Sequence, residues 1–215
     1  MTEESPQGAA EFDLPRVAFL YLLLLGCFQV ISGIRESIPG LRTPSHVWAY
    51  DSALSHVIVL GIALAVRPRI LTLSRWKPAW TDVAMGLLAG IAASVVPLLI
   101  VAGPAKHLSP IQPYLAVPIL LLAPLGEELL FRGVFLRSLL SHHRAWIAIP
   151  IVVVMAAIGH QNFWFALWSQ LVLCLVYLAR HNSLAAAIIC HFCANVVAFL
   201  PVASVLTKLH LHASP

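Results

Sequence analysis

LAPLGEELLFRGVFLR, residues 122–137, sets two adjacent carboxylates, Glu127 and Glu128, and a guanidinium, Arg132, inside a run of Leu, Phe, Val, Gly, Ala and Pro. Apolar runs long enough to cross a bilayer lie on both sides, so these charges are expected at membrane depth. An ionised group there is costly unless it is paired or faces water, which makes the cluster a functional hypothesis by default. On a helix Glu128 and Arg132 are four residues apart with the acid first, the favourable order for an intrahelical pair. Glu127 points about 100° away and has no such partner on its own helix. The spacing therefore splits the charges into a self-paired Glu128 and Arg132 and a Glu127 available for something else.

Working outward, hydrophobic residues make up 60% of the 215 and charged residues 10%. Soluble domains carry about 25% charged residues, so this composition describes a polytopic membrane protein. Because every backbone N–H and C=O must be satisfied inside hydrocarbon, the spans are expected to be helices, giving an all-α bundle. The net charge of +4 is spread over short loops and forms no stripe, which argues against nucleic acid and for a positive-inside bias. All four cysteines, Cys27, Cys174, Cys190 and Cys193, fall in apolar segments and read as small buried hydrophobes.

Residues 1–14 form a polar, acidic tail without the basic region of a signal peptide. Seven spans follow: Val17–Ile34, Trp48–Val66, Asp82–Ala102, Tyr114–Leu140, Ala145–His160, Phe163–Leu178 and Ser183–Leu206. An eighth would arise if the C-terminal stretch or the loop near residue 110 folded back into the membrane. The transmembrane domain is thus residues 15–206, with a short tail at 207–215. Asp51 and His56 fall near the start of the second span, within reach of interfacial water. The loop at 67–80 holds Arg67, Arg69, Arg75 and Lys77 with Trp76 and Trp80, a combination expected at a cytoplasmic face. Eight Lys and Arg fall on the N-terminal side against four on the other, so the N-terminus is expected in the cytoplasm. The tryptophans sit near span ends, as an aromatic belt requires, and no transporter-type internal repeat is present.

Three more polar groups lie in the later spans. His160 closes the fifth, in AAIGHQN, while His191 and Asn195 stand four apart on one face of the seventh, in CHFCAN. At a rise of about 1.5 Å per residue, Glu127 and His191 fall at mid-bilayer and His160 toward the outer half, so one cavity could hold them. The chemistry that suits the set is water activation. A carboxylate takes a proton from water and later hands it on, an imidazole orients that water, and a second imidazole with an amide donates to the oxyanion. Ser169 and Ser183 have no motif around them that would make either a nucleophile. One rival is a zinc enzyme built on Glu127, His160 and His191 with Cys190 and Cys193 nearby. Neither His-Glu-x-x-His nor a paired C-x-x-C is present, however, so no cofactor is expected and zinc is the weaker reading. The other rival is a non-catalytic membrane scaffold or immunity protein that uses the cluster for packing.

These residues resemble the CAAX protease and bacteriocin-processing (CPBP, Abi) family of intramembrane proteases. Its Glu-Glu-x-x-x-Arg motif is present as EELLFR, residues 127–132, and its His-x-x-x-Asn motif as HFCAN, residues 191–195. The intervening Phe-x-x-x-His motif reads AAIGH, residues 156–160, with Ala156 where the family has Phe. The similarity covers residues 115–200. It implies a glutamic-type intramembrane endopeptidase in which Glu127 activates water with His160, His191 and Asn195 form the oxyanion site, and Glu128 with Arg132 supports the geometry. It also implies a membrane-associated protein or peptide substrate. Candidates are a prenylated peptide, a leader peptide or a C-terminal sorting tail. Compact size and the lack of an ER-retrieval tail point to a prokaryotic cell (inner) membrane.

Overall fold

The computed structural model describes residues 14–36, 44–66, 78–100, 118–158, 160 and 162–199. Among them seven helices follow one another: α1 Leu14–Glu36, α2 Pro44–Val66, α3 Trp80–Ile100, α4 from Pro118 to His142, α5 Ala145–Ile158, α6 Phe163–Ala179 and α7 Leu184–Phe199. No strand occurs among the described residues, as the all-α expectation requires. The tails, most of the basic loop at 67–80, the loop near residue 110, and the expected ends of the fourth and seventh spans at Tyr114 and Leu206 lie outside the described residues.

By length and composition α3, over Trp80–Pro97, can cross a membrane; the apolar stretches of α1, α2, α5, α6 and α7 run to 10–17 residues. Large apolar side chains point outward along these helices, including Phe19, Leu22, Val30 and Leu88. Trp80, Trp146 and Trp164 are exposed in the first turns of α3, α5 and α6.

At the centre lies α4, packed on α2, α5 and α7. It is continuous but changes register. A π-helical stretch Pro118–Leu122 gives way to α-helix at Ala123–Glu128, widens again over Leu129–Leu136 and closes as α-helix at Arg137–His142. Every residue from Leu129 to Leu136 is buried. Pro124 falls in the first turn of the α-helical segment, where its missing N–H is least costly.

The most extensive pairing is α3 on α7, and it is built from small residues. Gly86, Gly90 and Ser94, four apart on α3, face Ala186, Cys190, Cys193 and Ala194 on α7. A Cβ at Gly90 would lie 2.5 Å from the Cys190 carbonyl oxygen and 2.6 Å from the Cys193 Cβ, so the backbones approach as far as glycine allows. Ser94 Oγ donates to the Ala194 carbonyl at 2.7 Å across the same seam. Close small-residue seams of this kind are how helices associate in lipid, where apolar burial offers no driving force. Gly90→Ala should therefore destabilise the protein by about 1–3 kcal/mol, the range for overpacking. Gly61→Ala is the control, because nothing lies within 4 Å of a Cβ there. Thermal unfolding in detergent that shows equal melting for the two variants would refute the close seam.

Proline explains two other polar contacts. Pro97 in α3 has no N–H, so the carbonyl of Ala93, four residues back, loses its helical donor. Ser169 Oγ on α6 donates to that oxygen at 3.2 Å, and Trp168 Nε1 reaches the neighbouring Ala92 carbonyl. Ser183 caps α7, its Oγ accepting from Ala186 N at 3.3 Å. One end of the bundle is latched by a buried Asp82, which accepts from Arg180 Nε at 2.7 Å and from Ala79 N at 2.9 Å. The turn between α6 and α7 places His181 and Asn182 at φ 54° and 62°, and Asn182 N closes on the Tyr177 carbonyl.

Two of the boundaries that differ from expectation have consequences for the site. The second helix begins at Pro44 rather than Trp48, with proline in its favoured first position. His56 is thereby the 13th of 23 residues, midway along α2 rather than near its end. The fifth helix stops at Ile158, short of His160. Asn162 is the reason: its side chain accepts from Phe165 N at 3.1 Å to cap α6, so the chain must leave α5 before it.

Candidate active site

The EELLFR segment lies on α4 as the spacing requires. Arg132 Nη1 donates to Glu128 Oε1 at 3.0 Å, and both side chains are fully buried. A lone buried ion pair rarely offsets its own desolvation, so the surrounding hydrogen bonds matter. Arg132 Nη2 donates to the backbone carbonyl of Gln170 at 2.9 Å and to Gln170 Oε1 at 2.6 Å, tying α4 to α6. His191 Nδ1 approaches the same Glu128 Oε1 at 2.8 Å from α7. Glu128 is thus the hub of a buried network joining three helices.

An ionised Glu128 can only accept, so His191 Nδ1 carries its hydrogen. Its Nε2 is then an acceptor in the neutral ring and a donor in the imidazolium.

Glu127 is not free of partners. Its Oε1 lies 3.0 Å from His56 Nε2 on α2, a residue the sequence had placed near the interface. Its Oε2 is buried and has no hydrogen-bond partner among the described residues, a condition shared by Glu128 Oε2 and Arg132 Nε beside it. Buried polar atoms without partners are uncommon enough in native proteins to mark sites of function or strain. His191 and His160 also lie within electrostatic reach of this carboxylate, so three imidazoles converge on it.

His160, beyond the end of α5, is exposed. Its Nδ1 lies 2.9 Å from the Ala156 carbonyl, which only accepts, so Nδ1 carries the hydrogen and Nε2 keeps its lone pair. Ala156, standing where an aromatic was expected, is buried and anchors that ring through its backbone.

Asn195 Nδ2 donates to the Ile119 carbonyl at 2.8 Å. In the wide register of Pro118–Leu122 the closing donor comes from five residues on, and five residues past Ile119 is Pro124. The asparagine amide therefore supplies the hydrogen that proline lacks, and holds α4 to α7 just ahead of Glu127. Its second N–H is not used by this bond.

Cys190 and Cys193 lie on the seam with α3, where Cys193 Sγ reaches the Leu87 carbonyl. Among the described residues no three His, Cys, Asp or Glu side chains are arranged to hold a metal ion.

Sequence reasoning missed His56 and Gln170. Both are polar residues in apolar runs, which was the available signal. Their partners lie 71 and 38 positions away, beyond any spacing rule.

Residues 109–197 match the family model described as type II CAAX prenyl endopeptidase Rce1-like. That segment is similar to the CAAX protease family. No curated protein and no solved structure matches the chain. The family segment holds Glu127, Glu128, Arg132, His160, His191 and Asn195. His56 lies outside it, on α2. The matched family is one of membrane proteases, and the similarity supports a protease activity and a membrane location in general terms.

Proposed function

We propose that this protein is a polytopic intramembrane endopeptidase that cleaves a membrane-associated peptide with water activated by Glu127. The observation that carries the reading is the pair of environments given to adjacent carboxylates within a protease-family segment. Glu128 Oε1 is held by both Arg132 and His191, whereas Glu127 has no guanidinium beside it and its Oε1 meets only His56; each carboxylate keeps its Oε2 buried without a partner among the described residues.

In this reading Glu127 Oε2 takes a proton from water while the hydroxide attacks the scissile carbonyl carbon. His160, with Nε2 bare, orients the same water. The carbonyl oxygen becomes an oxyanion near α7, where the spare N–H of Asn195 and the Nε2 of a protonated His191 can donate to it. Collapse of the tetrahedral intermediate breaks the C–N bond, and Glu127 returns its proton to the leaving amine. Glu128 and Arg132 hold the helices that carry these groups. No metal or cofactor is required by these steps.

Exposed tryptophans in first turns, outward-facing leucines and the glycine seam support a bundle embedded in lipid. With the N-terminus in the cytoplasm, the substrate class that suits the family description is a prenylated C-terminal peptide, already held at the membrane by its lipid. The test is quantitative proteomics of C-terminal peptides from cells with and without the protein. The expected result is a set of truncated C-termini on membrane-associated proteins that disappears with the protein. Identical C-termini in both cells would sink the reading.

A further inference from the structure

Among the described residues outside the family segment, one side chain touches the proposed base. His56 Nε2 is 3.0 Å from Glu127 Oε1, and both side chains are largely buried, at 17% and 13% exposure. The contact is built into the backbone. A Cβ at Gly126 would lie 3.1 Å from the His56 carbonyl oxygen and 3.5 Å from Leu60 N, so α2 rests directly on the glycine that precedes the two glutamates. A side chain there would press on the α2 backbone at His56.

Among the described residues, the other charged or titratable groups near Glu127 are Glu128 and Arg132 on α4 itself, His191 on α7 and His160 after α5. Glu128 and Arg132 are committed to each other, His191 Nδ1 to Glu128, and His160 Nδ1 to the Ala156 carbonyl. His56 alone has a hydrogen bond to Glu127 among the described residues. That bond distinguishes the two carboxylate oxygens, with Oε1 held from α2 and Oε2 left for chemistry.

We infer that His56 is a positioning residue for hydrolysis: its Nε2–H donates to Glu127 Oε1, fixes the carboxylate plane, and reserves Oε2 as the oxygen that takes the proton from water. The inference rests on the protease reading above. When Oε2 is protonated, Oε1 remains an acceptor, so His56 keeps its hydrogen throughout the cycle. A group that only donates N–H at the same reach should therefore replace it.

The full chain is expressed as wild type, Glu127→Gln, His56→Leu, His56→Asn and His56→Gln at matched membrane abundance, and C-terminal peptides are quantified. Cleavages lost in Glu127→Gln should fall about 10-fold to 100-fold in His56→Leu, the scale expected for a misplaced catalytic group. His56→Asn, whose amide is too short to reach Oε1, should behave like His56→Leu, and it serves if the leucine variant does not accumulate. His56→Gln should restore cleavage to within about threefold of wild type, since its amide restores the placement. Undiminished cleavage in both His56→Leu and His56→Asn, or no recovery in His56→Gln, overturns the inference while leaving the protease reading standing. Undiminished cleavage in Glu127→Gln overturns the protease reading itself.

Discussion

Glu127→Gln is expected to lower peptide-bond hydrolysis by about 10²–10⁴-fold, the contribution of a positioned general base, while the folded protein persists. Glutamine has the volume of glutamate and keeps a carbonyl oxygen for His56 Nε2, so the bond at 3.0 Å survives. What disappears is the ability of the second oxygen to take a proton, because an amide nitrogen is not a base. Removing a charge from a largely buried position also relieves desolvation, so the variant should melt no lower than wild type. Activity and thermal stability are measured on the same detergent-solubilised preparation. Undiminished activity would remove Glu127 from the mechanism. Lost activity together with a collapsed melting temperature would show Glu127 to be structural.

Arg132→Met is expected to do the opposite, destabilising the fold by about 3–5 kcal/mol as befits a buried pair that loses one partner. The guanidinium is wholly buried and holds Glu128 Oε1, the Gln170 carbonyl and Gln170 Oε1 together. Methionine fills much of the volume but leaves Glu128 as an uncompensated buried charge, with only His191 beside it. Glu128→Gln combined with Arg132→Met removes both charges and should recover a large part of the loss, since replacing a whole pair costs less than breaking it. The comparison is made by thermal unfolding of the two variants and wild type. Equal melting of Arg132→Met and wild type would contradict the buried network. If the double variant melts below the single one, the stranded Glu128 charge is not the cause.

What could be read from the chain before folding was whatever a helix makes local. The order Glu128, Arg132 at a spacing of four is such a pattern, and the pair forms as expected. Likewise His191 and Asn195 share one face of α7, because helical periodicity alone decides it. Helix starts and stops were less legible. The second helix starts at Pro44, four residues before Trp48, which carries His56 to mid-helix, and Asn162 caps α6, which ends the fifth helix short of His160.

Partner choice lay further out of reach. His191 fits the Glu128 side of the cluster, Asn195 answers the proline five residues past Ile119, and Ser169 answers the proline four residues past Ala93. Each is a tertiary reply to a backbone or charge problem that the local sequence poses without showing who solves it.

For LAPLGEELLFRGVFLR, the sequence by itself determined that two carboxylates and one guanidinium share a buried helix and that one acid is paired there. Those are matters of composition and of 3.6 residues per turn. Only the tertiary structure decided which group meets the other acid. Gly126 has no side chain to keep α2 at a distance, so His56 approaches from 71 residues away and takes one oxygen of Glu127, leaving the second without a partner.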